Sequence, residues 1–404
     1  MKKKKILFVI GNLHAGGAQK SLVSLLNSMP LDKYEVYYQT TLDNAFFLSH
    51  MPKACKLKPY PPMLSAIGKG SIRKLLRNFD ILGLIAKIHM VIATRLLFKK
   101  SGLQIIQFFW NVGKKWVPQD PVHYDVAIGY LEGLCNYYVI DKTIADTKIL
   151  WMHNYYHKLN CNPDFDKLYF DQADYICTMS QICKDDLISA IPSLKDKIHV
   201  IENISSIRLI DKQKKQKDSD SYFQDKRFKI ISVGRLAKQK GYDLAINAAK
   251  ILKSKGINFC WYVIGDGNLR KDLEEQVLKN GIQDCFILMG LRTNPYPYIQ
   301  DANVYCMPSR FEGKSIALDE AIILCKPIVV TNFPSVYDSI KNNQNGVIVD
   351  MTAFAIAEGI LQLYHNPSIR NALTAYLSSH RNSNEQKVLS NFLPLIETYK
   401  SQPL

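Results

Sequence analysis

No pair among the nine cysteines of this 404-residue sequence has the C-x2-C spacing that zinc sites and redox motifs use. Histidines are not clustered either, and several cysteines fall within apolar runs typical of buried strands. Reduced thiols of a cytosolic protein are therefore expected, rather than disulfide bonds or zinc ligands. The length predicts two or three domains, and the 47% of apolar residues is ordinary for a globular chain.

Acidic residues are scarce in the first 120 positions, where 5 Asp and Glu stand against 19 Lys and Arg, so 14 of the 16 net positive charges lie there. The rest of the chain is nearly neutral. This imbalance predicts an anionic partner for the first part of the chain, either a membrane surface, a nucleic acid or a phosphorylated acceptor. No nucleic-acid-binding module or aromatic platform is recognisable, so no nucleic-acid partner is expected.

Uncharged apolar runs are short, and none approaches the roughly 18 residues that a membrane span needs. Lysines at the amino terminus precede an apolar run at residues 6–10, which superficially mimics a signal peptide. That run is shorter than the about 7 to 15 residues of a signal sequence, so it predicts a first buried strand.

Residues 71–100 are both basic and apolar, and they predict one helix, or two helices broken near Gly83. Helical spacing groups Arg73, Arg77, Lys87 and Arg95 on one side and Phe79, Leu82, Met90 and Leu97 on the other. Such a helix either lies on a membrane surface or packs in the core of the first domain, and the sequence favours neither. Trp110, Trp116 and the pair Lys114 and Lys115 add modestly to the membrane alternative.

The most informative stretch is residues 305–320, in which Glu312 and Glu320 stand eight positions apart. A strand at residues 304–307 and a helix from Ser315 are predicted, which puts the two carboxylates about 12 Å apart along the helix axis. Between them lies the start of a helix, whose free backbone amides are expected to form a phosphate-binding site. These amides belong to Gly313, Lys314, Ser315 and Ile316. A nucleotide sugar, with a diphosphate between two sugars, fits this pattern. Taken alone, the two glutamates are equally explained as a helix-capping acid and an exposed helix charge.

Strands and helices alternate along the second half of the chain, which predicts a parallel sheet covered on both faces. Ligands of such sheets bind at the carboxyl ends of the strands. Gly234, Arg235, Gly265, Gly290 and Glu312 all fall at those ends.

Residues 305–320 resemble the E-x7-E signature of retaining family 4 glycosyltransferases of the GT-B fold, and the resemblance extends over about residues 228–350. It includes Val233-Gly234-Arg235-Leu236 with Lys240-Gly241, then Gly265-Asp266-Gly267, and Lys326 to Thr331. It implies an α/β fold with two Rossmann-like parallel-sheet domains facing a central cleft. The expected domains are 1–205, completed by a crossover helix at about 383–404, and 206–382, with residues 211–225 as the linker.

The resemblance also implies roles for individual residues. Arg235 and Lys240 clamp the diphosphate with the helix amides, Glu312 holds the donor sugar, and Glu320 accepts the ribose hydroxyls. Gly234, Gly265 and Gly290 line the donor site. Gly16 and Gly17, in the glycine-rich turn at 11–20, are similar to the family's amino-terminal loop that faces the donor. His153, after a strand at 147–151, is a second candidate catalytic residue.

The implied function is retaining hexosyl transfer from a nucleotide-diphosphate sugar, expected to be a UDP-sugar, to a saccharide or polyprenyl-linked saccharide in surface polysaccharide or capsule synthesis. No metal or other cofactor is expected, because the two D-x-D triplets, at 164–166 and 218–220, follow no apolar strand and are interpreted as loop acids. The expected location is cytoplasmic, peripheral on the inner face of the cytoplasmic membrane. Two alternatives remain: a sugar-nucleotide epimerase of the same architecture, and a non-catalytic glycosyltransferase-like partner subunit.

Overall fold

The computed structural model describes residues 3–14, 16–41, 45–61, 63–64, 81–216, 221–313 and 315–397. The chain divides into two compact units, one of residues Met1–Asn203 with Gln386–Leu404, the other of residues Ile204–Glu385. The sequence places these boundaries at 205/206 and 382/383, and the structure has them at 203/204 and 385/386.

The first unit contains a parallel sheet of seven strands in the order β3-β2-β1-β4-β5-β6-β7. The strands are β1 Lys4–Asn12, β2 Tyr34–Thr41, β3 Lys56–Pro59, β4 His123–Gly129, β5 Ile144–Met152, β6 Tyr175–Thr178 and β7 Ile198–Val200. The helices are α1 Gly17–Ser28, α2 Ile81–Ser101, α3 Ile105–Gly113, α4 Leu134–Lys142, α5 Pro163–Phe170 and α6 Gln181–Ala190. The central strand β1 is fully buried at residues 6–10, as expected of a parallel strand covered on both faces.

The second unit contains a parallel sheet of six strands in the order β10-β9-β8-β11-β12-β13. These are β8 Phe228–Val233, β9 Phe259–Ile264, β10 Phe286–Gly290, β11 Val304–Met307, β12 Ile328–Thr331 and β13 Val347–Val349. The helices are α7 Ile207–Gln213, α8 Tyr242–Ser254, α9 Arg270–Lys279, α10 Tyr296–Asp301, α11 Ile316–Ile323, α12 Ala353–His365 and α13 Pro367–Ser379. The prediction of an α/β protein with two Rossmann-like parallel sheets is confirmed.

The last helix, α14 Glu385–Glu397, returns the chain to the first unit. Phe392 is fully buried there against the ring of Trp151, with 5.6 Å between ring centroids. Lys4 donates to the carbonyl oxygens of Ile396 and Glu397, at 3.2 and 2.9 Å. The amino and carboxyl parts of the chain therefore build one core.

The prediction that residues 211–225 form a linker between domains is wrong. Asp211 lies in α7 and accepts two hydrogen bonds from the guanidinium of Arg381. Tyr222 is buried, and its hydroxyl donates to the carbonyl of Tyr298 at 2.6 Å. This packing could not be predicted from the sequence, because the segment is mostly polar and a single buried tyrosine produces no apolar periodicity.

The helix expected within residues 71–100 is continuous from Ile81 to Ser101, with Gly83 buried inside it rather than at a break. Arg73, Arg77 and Phe79 lie outside the described residues. The buried side consists of Gly83, Ala86, Met90 and Ala93, whereas Leu82 and Leu97, which helical spacing groups with Met90, are exposed.

Two aromatic residues after this helix are part of the packing of the first unit. Trp110 is fully buried, and its ring N–H donates to Asp141 at 2.9 Å. The ring N–H of Trp116 lies 3.4 Å from His89 of α2. Trp110 is therefore a core residue, and it does not support the membrane alternative.

Candidate functional site

Three glycines stand at the carboxyl ends of neighbouring strands in the second unit. The amide of Gly234 donates to the carbonyl of Ile264 at 3.0 Å, and the amide of Gly265 donates to the carbonyl of Gly290 at 2.9 Å. A Cβ on Gly265, whose φ is +152°, would lie 1.9 Å from the carbonyl oxygen of Gly234. The backbones thus approach too closely for any side chain at position 265, and this is the edge of the sheet at which ligands of parallel sheets bind.

Arg235 follows Gly234 at this edge, and its side chain is exposed. Its backbone is held in place, because the next amide, of Leu236, donates to the carbonyl of Asp266 at 3.0 Å. Within the described part of the chain, no hydrogen bond or ion pair holds the guanidinium of Arg235. An arginine with an ordered backbone and an available guanidinium is suited to bidentate hydrogen bonding with an anion.

Lys240 and Glu312 lie together, although 72 positions separate them in the sequence. The Lys240 Nζ donates to Glu312 Oε1 at 2.7 Å, and the hydroxyl of Ser309 donates to the same oxygen at 2.7 Å. The Glu312 carbonyl accepts from the hydroxyl of Ser335 at 2.7 Å, and only 8% of Glu312 is exposed. Both the carboxylate and the backbone of Glu312 are therefore oriented by neighbours.

Helix α11 begins beside Glu312, as predicted. Ser315 is the N-cap residue, and its side chain makes no capping hydrogen bond. Gly313 and Ile316 are half-buried at this helix start, and Lys314 lies outside the described residues. The first amides of a helix have no acceptor within the helix, so they are available to an anion at this position.

Glu320 lies in the second turn of α11 and is almost entirely buried, with 3% exposed. Its Oε1 accepts a hydrogen bond from the hydroxyl of Tyr296 at 2.8 Å. Burial, followed by the charge of Glu320, raises the pKa of Tyr296 well above its usual value. The phenol therefore stays protonated and fixes the direction of the carboxylate.

The remaining predicted residues, Gly16, Gly17 and His153, belong to the first unit. Gly16 is the N-cap of α1, and a Cβ on it would lie 2.3 Å from the side-chain oxygen of Gln19. Gly17 is the first residue of the helix, and a Cβ there would meet nothing within 4 Å. Both glycines follow the carboxyl end of β1.

His153 follows the carboxyl end of β5, with its ring stacked on Trp151 at an interplanar angle of 9°. Burial lowers the pKa of His153 to about 4, against the opposing effects of the Glu132 charge and a hydrogen bond with the Tyr130 backbone. The imidazole is therefore neutral near pH 7. Its Nε2 is buried and has no hydrogen-bond partner among the residues that the structure describes.

The sequence interpretation assigned no role to Glu132, which lies beside His153. The backbone amide of His153 donates to Glu132 Oε2 at 3.0 Å, and the side-chain amide of Asn154 donates to the other carboxylate oxygen. Glu132 follows the carboxyl end of β4 just as His153 follows that of β5. Its position three residues after a strand was the only signal that could have indicated it.

The interpretation of residues 164–166 as loop acids is wrong, because they lie in helix α5. Asp166 is buried and accepts hydrogen bonds from the hydroxyls of Tyr137 and Tyr156, at 2.5 and 2.7 Å. The second triplet, 218–220, lies outside the described residues. In the described ranges, no group of three His, Cys, Asp or Glu side chains is placed to hold a metal ion.

Comparison with known proteins agrees with the sequence resemblance. Residues 213–379 match the family described as glycosyl transferases group 1. Capsular polysaccharide biosynthesis glycosyltransferase CapM of Staphylococcus aureus is 28% identical over 215 residues, 48% of this chain and 56% of that protein. A diphospho-undecaprenol-directed 4-alpha-N-acetylgalactosaminyltransferase of Campylobacter jejuni is 24% identical over 226 residues, 55% of this chain and 60% of that protein.

Among solved structures, one similar to this chain is a mutant of Staphylococcus aureus TarM in complex with Fondaparinux, alpha-GlcNAc-glycerol and UDP. The two chains align with a TM-score of 0.67 and 13% identity, and the alignment covers 98% of this chain and 100% of TarM. This similarity shows that the two chains share a fold. The chain spans less than two thirds of the curated relatives' own length, 56% and 60% for the two above.

Proposed function

Because residues 213–379 match the glycosyl transferases group 1 family, we propose that the protein is a retaining hexosyltransferase that moves a sugar from a UDP-sugar to a saccharide acceptor. The main support is one arrangement in the second unit. The carboxyl edge of one parallel sheet carries Arg235, which has no side-chain partner among the described residues, the Lys240 and Glu312 pair, and the start of α11. This edge offers positive charge for a diphosphate and carboxylates for the sugars on either side of it.

Positive charge is the main requirement of the proposed reaction. When the bond between the sugar and the diphosphate breaks, negative charge grows on the leaving phosphate. Arg235 and the first amides of α11 bind that phosphate. Lys240 has three N–H donors, so it can bind a phosphate oxygen while one N–H still bonds Glu312. The departing phosphate then takes the proton of the acceptor hydroxyl, which attacks from the same face of the sugar.

The two glutamates have separate tasks in this proposal. Glu312, held by Lys240 and Ser309, binds hydroxyls of the donor sugar and stabilises the positive charge that develops on its ring. Glu320, oriented by Tyr296, accepts from the ribose hydroxyls. His153 is proposed as a second catalytic residue, with an imidazole that is neutral near pH 7.

The alternative functions have less support. A sugar-nucleotide epimerase needs acids and histidines arranged for proton transfers on the sugar, and His153 is neutral and buried. A non-catalytic partner subunit has no need for a free Arg235 or for an oriented Glu312.

Incubating the purified protein with UDP-, GDP- and ADP-sugars tests the proposal, with nucleotide release and thermal stabilisation expected for UDP-sugars. No release and no stabilisation by any of them would contradict it.

Activity is expected to persist in EDTA. Arg235, Lys240 and the helix amides supply the positive charge that a metal ion gives other glycosyltransferases, so removing divalent ions leaves the diphosphate neutralised. UDP release should be measured before and after exhaustive dialysis against EDTA. A loss that manganese restores would show that a metal ion takes part.

A lipid-linked saccharide in surface polysaccharide synthesis is the proposed acceptor. The names of the CapM and Campylobacter relatives, which refer to capsular polysaccharide and to a diphospho-undecaprenol substrate, support this class. Such an acceptor resides in a membrane. The protein is accordingly proposed to work in the cytoplasm, peripherally on the inner face of the cytoplasmic membrane.

Helix α2 supports the membrane part of this proposal. It is the one helix in the described ranges that is long and apolar enough to cross a membrane, and most of it is not buried in the protein. Its exposed aliphatic residues, called here the aliphatic surface, have 37 to 71% of their area exposed and are Ile81, Leu82, Ile85, Ile88, Val91, Ile92, Leu96 and Leu97.

Basic residues accompany the aliphatic surface at the end of the same helix. Arg95, Lys99 and Lys100 are exposed in its last two turns, and the helix contains no acidic residue. A helix with exposed aliphatic side chains and lysines or arginines is suited to lie in the headgroup region of an anionic bilayer. Apolar insertion and charge attraction would both contribute to binding.

Two variants of α2 are expected to separate these contributions. Replacing Arg95, Lys99 and Lys100 by Glu should weaken binding to vesicles containing phosphatidylglycerol by at least about 100-fold, since the loss of each basic residue costs about 1 kcal/mol and the three new carboxylates are repelled by the anionic lipid. Replacing Ile85, Ile88 and Ile92 by Ser should weaken binding to neutral and anionic vesicles alike. Flotation with phosphatidylcholine vesicles, with and without phosphatidylglycerol and added salt, measures both effects.

Lys195→Glu is the matched control, because Lys195 is an exposed lysine of the same unit outside α2. It should bind like the unaltered protein. If none of the variants differed from the unaltered protein, α2 would not be the membrane-binding surface.

A further inference from the structure

Arg310 is the best-anchored arginine near the proposed donor site, and none of the roles above uses it. Its guanidinium donates to both carboxylate oxygens of Asp243, from Nη1 at 2.8 Å and from Nη2 at 2.6 Å. Nη1 also donates to the carbonyl of Lys238 at 2.9 Å. One side chain in the loop before Glu312 therefore holds two points in the segment around Lys240.

Backbone contacts reinforce this link between the two segments. The amide of Arg310 donates to the carbonyl of Gln239 at 2.7 Å, and the side-chain amide of Gln239 donates back to the carbonyl of Phe311 at 3.0 Å. Gly241 passes so close to Pro308 that a Cβ on it would lie 1.9 Å from the Pro308 carbonyl oxygen. Pro308, Arg310 and Phe311 thus contact four residues of the segment 238–243.

The charge state of Asp243 suits this arrangement. The Arg310 guanidinium, together with backbone amides at the start of α8, lowers the pKa of Asp243, while burial has the opposite effect. Asp243 is in the first turn of α8, where a negative charge also interacts well with the helix dipole. The pair is consequently ionised at neutral pH, and its two parallel hydrogen bonds fix direction as well as distance.

Lys240 lies within one of these two segments, and Glu312 directly follows the other. Lys240 lies between Gln239 and Gly241, and Glu312 follows Phe311. The bond between Lys240 and Glu312 alone leaves the pair free to shift together, since both side chains are flexible. The contacts of Arg310 remove that freedom by fixing the two backbones against each other.

We propose that Arg310 and Asp243 are positioning residues that keep the Glu312 carboxylate and the Lys240 ammonium in the geometry required for transfer. This inference rests on the function proposed above. Arg310 itself touches neither donor nor acceptor. Its loss should affect the reaction step more than donor binding, because Arg235 and the helix amides still hold the diphosphate while Glu312 loses its exact placement.

The test uses the full chain and the variants Arg310→Gln, Asp243→Asn and the double variant. With the UDP-sugar that the unaltered protein turns over fastest, kcat should fall about 10- to 100-fold in each single variant, and the affinity for UDP should stay within about threefold. The double variant should be no slower than the slower single variant, because both changes break the same contact. Calorimetric titration with UDP, initial rates and melting temperature are measured for all of them.

Arg227→Gln is the matched control. The Arg227 guanidinium also binds both carboxylate oxygens of one aspartate, Asp225, from Nε at 3.1 Å to each oxygen and from Nη2 at 2.7 Å, and it donates to a backbone carbonyl, that of Asp284. It stands just before β8, at the amino end of the strand and away from the ligand edge. Its loss should lower the melting temperature as much as the loss of Arg310 does, and it should leave kcat unchanged.

The outcomes separate the inference from the proposed function. If the unaltered protein is active and Arg310→Gln keeps its kcat, or loses kcat only as much as Arg227→Gln, the positioning role is wrong. If UDP affinity falls as far as kcat, Arg310 is a binding residue instead. If the unaltered protein neither binds UDP nor turns over any UDP-sugar, the proposed function fails, and the inference that depends on it fails too.

Discussion

Replacing Glu312 by Gln is expected to reduce turnover by about 100- to 1,000-fold, with less than about a fivefold change in UDP affinity. The carboxylate is held by Lys240 and Ser309 beside the start of α11. Glutamine keeps the size of the side chain and removes its negative charge, which matters most when positive charge develops on the sugar ring. Donor binding relies mainly on the diphosphate, so it should change little. Initial rates and calorimetric titration with UDP measure the two quantities separately.

Glu320→Ala is the comparison for this variant, because Glu320 is also a buried glutamate of the same segment. It is expected to raise the donor's apparent KM with a smaller effect on kcat, since its proposed partner is the ribose. Melting temperatures must accompany the rates, because the change leaves the hydroxyl of Tyr296 without its carboxylate partner. Unaltered kcat and KM in both variants would show that these glutamates do not form the donor site.

Replacing Arg235 by Ala is expected to weaken UDP binding by about 10- to 100-fold, since hydrogen bonds to charged groups contribute about 1.5 to 3 kcal/mol. The guanidinium has no partner in the described part of the chain, so its interactions with the diphosphate replace only water. Lys240 already bonds Glu312, so Lys240→Ala should cost less UDP affinity and more turnover. Calorimetric titration with UDP ranks the two variants.

Lys238→Ala serves as the control, because Lys238 is an exposed cation in the same turn as Lys240. It should bind UDP like the unaltered protein. Equal UDP affinity in Arg235→Ala, Lys240→Ala and the control would place the diphosphate elsewhere on the molecule.

The strands of the second unit could be predicted closely from the sequence. The strand predicted at residues 304–307 coincides with β11, and the helix predicted from Ser315 is α11, which begins at Ile316. A parallel strand buried on both faces is a continuous apolar run between turn residues, so its bounds are visible locally. The positions of Gly234, Gly265, Gly290 and Glu312 follow from those bounds.

The orientation of α2 could not be obtained in this way. Periodicity shows which residues share a side of a helix, but it does not show which side faces the protein. In α2 the packed side is made of small residues, Gly83, Ala86 and Ala93, together with Met90. The larger aliphatic residues remain exposed, which is the reverse of the usual rule for a soluble helix.

Contacts between distant segments were also beyond the sequence. Arg310 and Asp243 are 67 positions apart, and no local pattern pairs them. The same holds for Lys240 and Glu312, which the sequence assigned to phosphate and sugar separately. Only the packing of the turn before α8 against the loop before α11 brings these four residues together.

The return of α14 to the first unit has a consequence for how the protein is made. Residues 3–203 are synthesised long before residues 386–397. The contact between Trp151 and Phe392 therefore cannot form until the whole second unit has been synthesised. During that interval the first sheet carries an apolar area that its own later residues will cover. Stalling or cleavage between residues 204 and 385 would therefore leave an incomplete first unit with exposed apolar surface. Such a species is a substrate for chaperones and proteases.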